Sequence, residues 1–403
     1  MTLQQEPQVA PPVAAPPGYV ERARRRIVRG DLGPLPVIVG LLITWVVFTI
    51  LNDRFLSPQN ITNLMLQIAA TGTIAVGVVF VLLLGEIDLS LGSVSGATSA
   101  ILAVSITRAG LSDGLAILFA VLTGVAMGAV HGTLFTKLRM PAFVVTLAGL
   151  IGWQGLQLYV LGQGGSINLP SGLVTTLTSR FFVPAYGWGL AALCVVGFAA
   201  VQFMRRQSRT RAGLPTVSLA VPVLQVIAVA VVLGAAVYVL NTDRGVPMVM
   251  LFYLVIIVIC AFVIRRTTYG RHLLAVGGNI EAARRAGIRV DAVRIGAFTI
   301  CSTLAAVGGV LAASRLTAVT QSSGSGDTLL NAIAAAVIGG VSLFGGRGSV
   351  WSALLGILVI GSISNGLDLL SVSTAVKFMV TGAVLVVAVL LDSLSRRGQP
   401  RGR

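Results

Sequence analysis

The sequence predicts an all-α polytopic membrane protein, a bundle of about twelve transmembrane helices, and three observations carry that expectation. Hydrophobic residues make up 55% of the chain and charged residues only 10%, at a mean hydropathy of +0.92, so polar groups are too few to cover a surface in water. Apolar windows of spanning length recur along the chain. The basic residues fall between those windows, in the alternation that topogenesis imposes.

Residues 1–34 are rich in Pro and Gln and turn basic at Glu21 to Arg26, a composition expected to stay flexible. This arm is too long and too Pro-rich to read as an ordinary cleaved signal. A single transmembrane domain is expected over 35–394. Its windows fall at 35–51, 64–84, 89–107, 114–135, 142–161, 187–204, 220–240, 247–264, 295–314, 329–345, 350–366 and 373–391. Gly and Ser interrupt windows 89–107 and 329–345, so either can be a half-helix and the count of spans becomes ten to twelve. A basic tail, 395–403, closes the chain.

An even count puts both termini on one side. With the N-terminus cytoplasmic, 23 of the 29 Lys and Arg residues fall inside, the exceptions being Arg54, Arg108, Arg180, Arg244, Arg315 and Lys377. The net charge of +16 is therefore mostly a topology signal, and nucleic acid is not an expected partner because no basic soluble face exists to hold it.

Cys194, Cys260 and Cys301 each lie inside an apolar run, and His131 and His272 are isolated, so neither a disulfide framework nor a metal site is expected. The only lysines, Lys137 and Lys377, are not preceded by Gly, which rules out a phosphate loop of the G-x-x-x-x-G-K type. Gly324-Ser-Gly326 lacks the strand-turn-helix setting of a dinucleotide fingerprint. No cofactor and no catalysis are expected of this chain, and any energy from ATP must come from a partner.

Three segments stand out. Gly85 to Ser93 sets Glu86 and Asp88 between apolar runs, where charge is costly and needs partners. One reading is a broken helix beside a translocation path, with Ser90 and Ser93 as further polar groups; the other is a tight helix-helix corner with Asp88 as N-cap. The polar loop 265–294 is the second. Within it Asn279 can cap a short helix, Glu281 falls in the first turn, Arg284 and Arg285 follow, and Gly287 can terminate it. Charge alone makes this helix a connector on anionic head groups. The third, Gly339 to Ser349, is dense in Gly, and 338–355 echoes 77–96 as an internal repeat would. Arg315, Asp368 and Lys377 read as interface residues that snorkel, and Asn365 as a polar contact inside the bundle.

Gly85-Glu-Ile-Asp-Leu-Ser-Leu-Gly-Ser93, Val276 to Arg284 with Ala286-Gly-Ile288, and Ala332 to Gly340 resemble the permeases of monosaccharide ABC importers over nearly everything after residue 35. Residues 205–250, with an added span before Asn241 to Pro247, resemble the longer middle of the xylose-type branch. The resemblance implies two permease copies in the bacterial inner membrane, a cytosolic ABC ATPase, an extracytoplasmic sugar-binding protein, and an ATPase-coupling role for Gly278, Asn279, Glu281, Ala282, Ala283 and Gly287. It leaves Glu86, Asp88, Ser90, Ser93 and Asn365 as path or gate candidates. Two alternatives stay open: an ABC permease for branched-chain amino acids or nucleosides, and an ion-coupled secondary transporter using Glu86 and Asp88.

Overall fold

A computed structural model describes residues 35–397, apart from 215, 217 and 326 and the side chains of 388 and beyond 390. The arm 1–34 and the last six residues of the tail lie outside the described residues. The chain runs α1 (Leu35–Leu51), α2 (Pro58–Leu83), α3 (Leu91–Thr107), α4 (Asp113–Lys137), α5 (Ala142–Leu161), β1 (Ser166–Asn168), α6 (Leu173–Ser179), α7 (Pro184–Arg211) and α8 (Ala220–Asn241). It continues through α9 (Met248–Arg266), α10 (Thr268–Gly278), α11 (Ile280–Arg285), α12 (Val290–Leu316), β2 (Ala318–Thr320), α13 (Asp327–Ile338), α14 (Val350–Leu369) and α15 (Thr374–Arg397).

Among the described residues eight helices are long and apolar enough to cross a membrane: α2, α4, α5, α7, α8, α9, α12 and α14. Shorter apolar helices are α1, α3, α13 and the apolar part of α15. The window 329–345 does not become one spanning helix. Its helix, α13, has 12 residues, about 18 Å at 1.5 Å per residue against a hydrocarbon core of about 30 Å. It stops because Gly340 turns the backbone to φ +99°, and residues 341–349 return as a loop.

Burial separates the helices into a centre and a shell. Helix α2, begun by Ser57, whose hydroxyl accepts from the Asn60 amide, and by Pro58 at its first turn, is buried over 89% of its most apolar window. It packs with α12, and α3, α13 and α14 complete the centre. In contrast α7 and α8 are only 11% buried and turn large apolar side chains outward, as lipid-facing helices do.

The described residues are mostly helical, with short extended pairing between the helices, including an isolated bridge of Phe181 with Pro247. Residues 166–168 pair antiparallel with 318–320, Ser166 opposite Thr320 and Asn168 opposite Ala318. Chain leaving α5 and chain leaving α12 meet here and must satisfy their backbone groups, and a three-residue ladder does so.

The loops gather at two ends. One, the basic end, brings together residues 83–90, 137–139, 265–294 and 339–349, through Lys137–Asp291 at 3.3 Å, Arg294–Glu86 at 3.4 Å and Arg265–Ser349 at 3.2 Å. The opposite end holds the β1–β2 ladder, the Arg108 guanidinium on the carbonyls of Val160 and Leu161, and the Lys377–Asp368 ion pair.

Candidate functional site

Between α2, α3, α12, α13 and α14 lies a polar cavity of about 330 Å³. Its depth is set by Ser95 and Ser99, each 2% exposed and one turn apart on α3, by Gly309 of α12 and by Asn331 of α13. Gln67 and Thr71 of α2, Ser364 of α14 and the segment Thr320 to Ser325 add amide and hydroxyl groups, and Arg315, Asp327 and Asp368 stand at the mouth. The Asn331 side-chain oxygen is buried with no partner. The mouth belongs to the end opposite the basic end. Its loop is held by Gln157, whose side-chain amide faces the carbonyl oxygens of Thr320, Gln321 and Ser323 at 3.0, 3.3 and 3.0 Å.

The cavity gives Arg315 and Asp368 a second setting. Both line the cavity as well as standing at the end of the bundle where the sequence places interface residues. Of the charged side chains at the mouth one is basic, Arg315, and two are acidic, Asp327 and Asp368; Lys377, outside the lining, pairs with Asp368 and balances the set.

Below the cavity, at the basic end, three loops interlock. Leu83 at the end of α2 accepts a hydrogen bond from the Gly346 amide at 2.9 Å. A Cβ on Gly277, in the last turn of α10, would lie 1.8 Å from that same Leu83 oxygen and 2.8 Å from the Gly346 nitrogen. Only Gly fits between the two. Gly85, at φ +80°, backs onto Phe344 and Gly345.

Glu86 and Asp88 leave this junction in different surroundings. Glu86 is paired with Arg294, whose guanidinium also lies 4.6 Å over the Phe135 ring. Burial pushes the Glu86 carboxyl above its ordinary pKa, and Arg294 pulls it back. Asp88, 3% exposed, accepts from the Ser90 amide at 2.9 Å and the Ser90 hydroxyl at 2.6 Å. The capping position of α3 is therefore Ser90, two residues later than the corner reading expects, and Asp88 forms the turn that precedes it. Ser93 bonds back to the Ser90 carbonyl at 2.7 Å.

The network continues through His131 of α4. Its Nδ1 is 3.3 Å from the Ser90 hydroxyl, and its Nε2 accepts from the Trp153 indole of α5 at 2.8 Å. With Nε2 an acceptor, the neutral ring carries its proton on Nδ1, towards Ser90. Asp88, Ser90, His131 and Trp153 thus join the start of α3 to α4 and α5. Trp153 stands one turn before Gln157, so α5 touches both the α3 start and the loop at the cavity mouth. None of Glu86, Asp88, Ser90 and Ser93 lines the cavity; α3 carries Ser95 and Ser99 into it only a turn further on.

Asn365 lies elsewhere, 3% exposed, in a reciprocal amide pair with Asn60: 2.7 Å one way and 3.0 Å the other. It ties α14 to the start of α2 and is not among the cavity-lining residues. On α11 the Asn279 side chain accepts from the Ala282 amide at 2.9 Å, and Glu281 pairs with Arg284 at 3.0 Å. Gly287, at φ +79°, follows the helix end. Ala283 is buried against the bundle while Glu281, Ala282 and Arg285 are exposed, so α11 presents a free face at the basic end. Gly278 precedes it, stacked on Gly346.

Sequence reading passed over Gln67, Ser95, Ser99, Gln157 and Asn331. The i, i+4 spacing of Ser95 and Ser99 was the available signal, since two hydroxyls on one face of an apolar helix ask for a polar neighbour. His131 gave none, because its partners are 41 and 22 residues away.

No solved structure matches the chain. It is 33% identical to the xylose transport system permease protein of Haemophilus influenzae, over 90% of this chain and 96% of that one. It is 35% identical to the xylose transport system permease protein of Escherichia coli K12, over 90% of each, and 34% identical to the ribose import permease protein of Bacillus subtilis, over 90% and 92%. The profile of one family, described as branched-chain amino acid transport system / permease component, matches residues 60–389. With that match spanning all but the first of the central and peripheral helices, the chain belongs to this family of membrane permeases.

Proposed function

We propose that the chain is the membrane-spanning subunit of a binding-protein-dependent ABC importer, carrying a neutral monosaccharide, xylose or a related sugar, across the inner membrane. The observation that carries this reading is the cavity lining. Hydroxyl and amide groups from Gln67, Ser95, Ser99, Ser323 and Asn331 suit a solute that is itself all hydroxyl groups, and the balanced charges at the mouth favour a neutral one. Similarity to xylose and ribose permeases supports the same class.

The family description favours a second reading, a branched-chain amino acid as solute. That solute brings a branched apolar side chain, which Ile68, Ile357 and Ile360 of the lining could contact, and two opposite charges, for which the hydroxyl and amide groups of Ser95, Ser99 and Asn331 offer no ion at the cavity depth. Uptake into cells carrying the full transporter separates them: xylose or ribose competing with labelled xylose, and leucine failing to compete, is the expected outcome. Competition by leucine alone would overturn the sugar reading.

In this reading the basic end faces the cytoplasm, both termini lie there, and about twelve segments enter the membrane, α13 as a half-helix. The transmembrane domain is 35–394, flanked by a cytoplasmic arm and tail, and two copies make the core. The cytosolic ATPase docks on the exposed face of α11 and the sugar-binding protein on the end that carries the cavity mouth. ATPase closure pushes α10 and α11; Gly277 passes the displacement to Leu83 and Gly346, and the Gly85 break lets α3 move relative to α2. The Asp88, Ser90 and Ser93 corner then acts as the hinge of an inner gate. Uptake that survives deletion of the ATPase but collapses with an uncoupler would sink the ABC mechanism in favour of ion coupling.

A further inference from the structure

A second cavity, of about 450 Å³, opens on the outside of the bundle, on the face of α12 turned away from the polar one. Its floor is Val249, Val310 and Leu311, each 2–3% exposed, and its outer wall includes Leu173 and Phe252, which are 54% and 47% exposed. The lining is apolar but for Thr176 and one charge, Arg180, at the end of α6. Its guanidinium is exposed and makes no hydrogen bond or ion pair among the described residues. At the same end Arg108 is held by the carbonyls of Val160 and Leu161, Arg244 by Asp243 and Lys377 by Asp368, while Arg54 and Arg315, which like Arg180 make no side-chain hydrogen bond or ion pair among the described residues, lie outside this groove.

We propose that this groove is a phospholipid site, taking one acyl chain between α4, α6, α9 and α12 with the lipid's anionic head group on Arg180. Membrane solvent supplies the occupant, the cavity is within the range of roughly 300–1,000 Å³ typical of ligand sites, and a lone arginine at a helix end matches a phosphate at head-group depth. Occupancy bears on transport. Val307, Val310 and Leu311 face the groove, while Gly309, Ala312 and Arg315 of the same helix line the polar cavity. Thr178 of α6 is bonded to Ser314 of α12 at 2.9 Å. A bound chain therefore props the helix that forms one wall of the polar cavity. The inference rests on membrane residence and not on which solute is carried.

Native mass spectrometry of the full-length permease with palmitoyl-oleoyl phosphatidylglycerol tests it. Wild type is expected to retain the lipid, and Arg180→Gln to retain it about fivefold more weakly, the effect of one basic residue at an anionic lipid surface. Arg180→Lys should restore most of the retention, Leu177→Trp should lower it by filling the groove, and Arg54→Gln, an exposed arginine outside the groove, should leave it unchanged. Elution as a monodisperse peak in size-exclusion chromatography verifies that each variant is folded. Unchanged retention in folded Arg180→Gln and Leu177→Trp, or equal retention of phosphatidylcholine, overturns the proposal. So does a shift from dimer to monomer in Leu177→Trp with lipid retention intact, which would make the groove an interface between two copies.

Discussion

Single residues in this permease matter through what they exclude as much as through what they touch. Gly277 is the sharpest case: a methyl group there would overlap the Leu83 carbonyl, so Gly277→Ala must push α10 away from α2. Uptake should be lost in this variant while membrane insertion, read by fractionation, stays normal; wild-type uptake would show that the junction does not transmit motion. Asn331 acts by the opposite logic. Its buried oxygen lacks a partner, which leaves a hydrogen-bonding position for a solute hydroxyl, and a neutral hydrogen bond contributes about 1 kcal/mol. Asn331→Leu is expected to weaken sugar uptake about fivefold or more without lowering expression, and a wild-type half-saturating concentration would remove Asn331 from the path. His131 is structural in the first instance. His131→Ala leaves the Trp153 indole without its partner and the Ser90 hydroxyl with Asp88 alone, at a cost of about 1–3 kcal/mol, measurable as a lower unfolding temperature of the purified protein.

Short elements here are set by their ends. Helix α11 has six residues, too few to hold itself by propensity, so Asn279 at its start and Gly287 past its end decide whether it exists. Asn279→Ala should loosen it by about 1 kcal/mol, and Gly287→Pro cannot adopt the observed φ of +79°. Glu281 differs. Its pair with Arg284 is 66% and 59% exposed, and such exposed pairs add only about 0.2–0.5 kcal/mol. Glu281→Ala therefore leaves α11 folded, and any loss of uptake reports on docking of the ATPase. Both Glu281→Ala and Gly287→Pro are expected to abolish uptake with insertion intact. Coupled ATPase activity at the wild-type level in both would refute the docking role.

Across the whole molecule the bundle is polarised, with hydroxyl and amide groups reaching inward from one end and interlocked glycine loops at the other. Reporter fusions after residue 213, within 265–294 and at the C-terminus should all fall on the cytoplasmic side, and a fusion after Gly164 on the other; an inverted pattern would reverse the assignment of cavity and coupling face.

The sequence by itself determined what depends on local chemistry. Apolar windows located the helices because lipid demands about twenty apolar residues per crossing, and Asn279, Glu281 and Gly287 marked α11 because caps act over three or four residues. Even the weakness of window 329–345 was visible in its glycines. Tertiary structure alone decided which polar groups meet. Ser95 and Ser99 face Asn331 across more than 200 residues of chain, His131 finds Ser90 and Trp153, and Asn60 finds Asn365. Isolated hydroxyls and amides in apolar helices look alike in one dimension, since each can bond its own backbone carbonyl one turn back. Only the packing of α3 against α12 and α13 turns some of them towards a shared cavity and leaves Glu86 and Asp88, the most conspicuous charges in the sequence, at the junction beneath it.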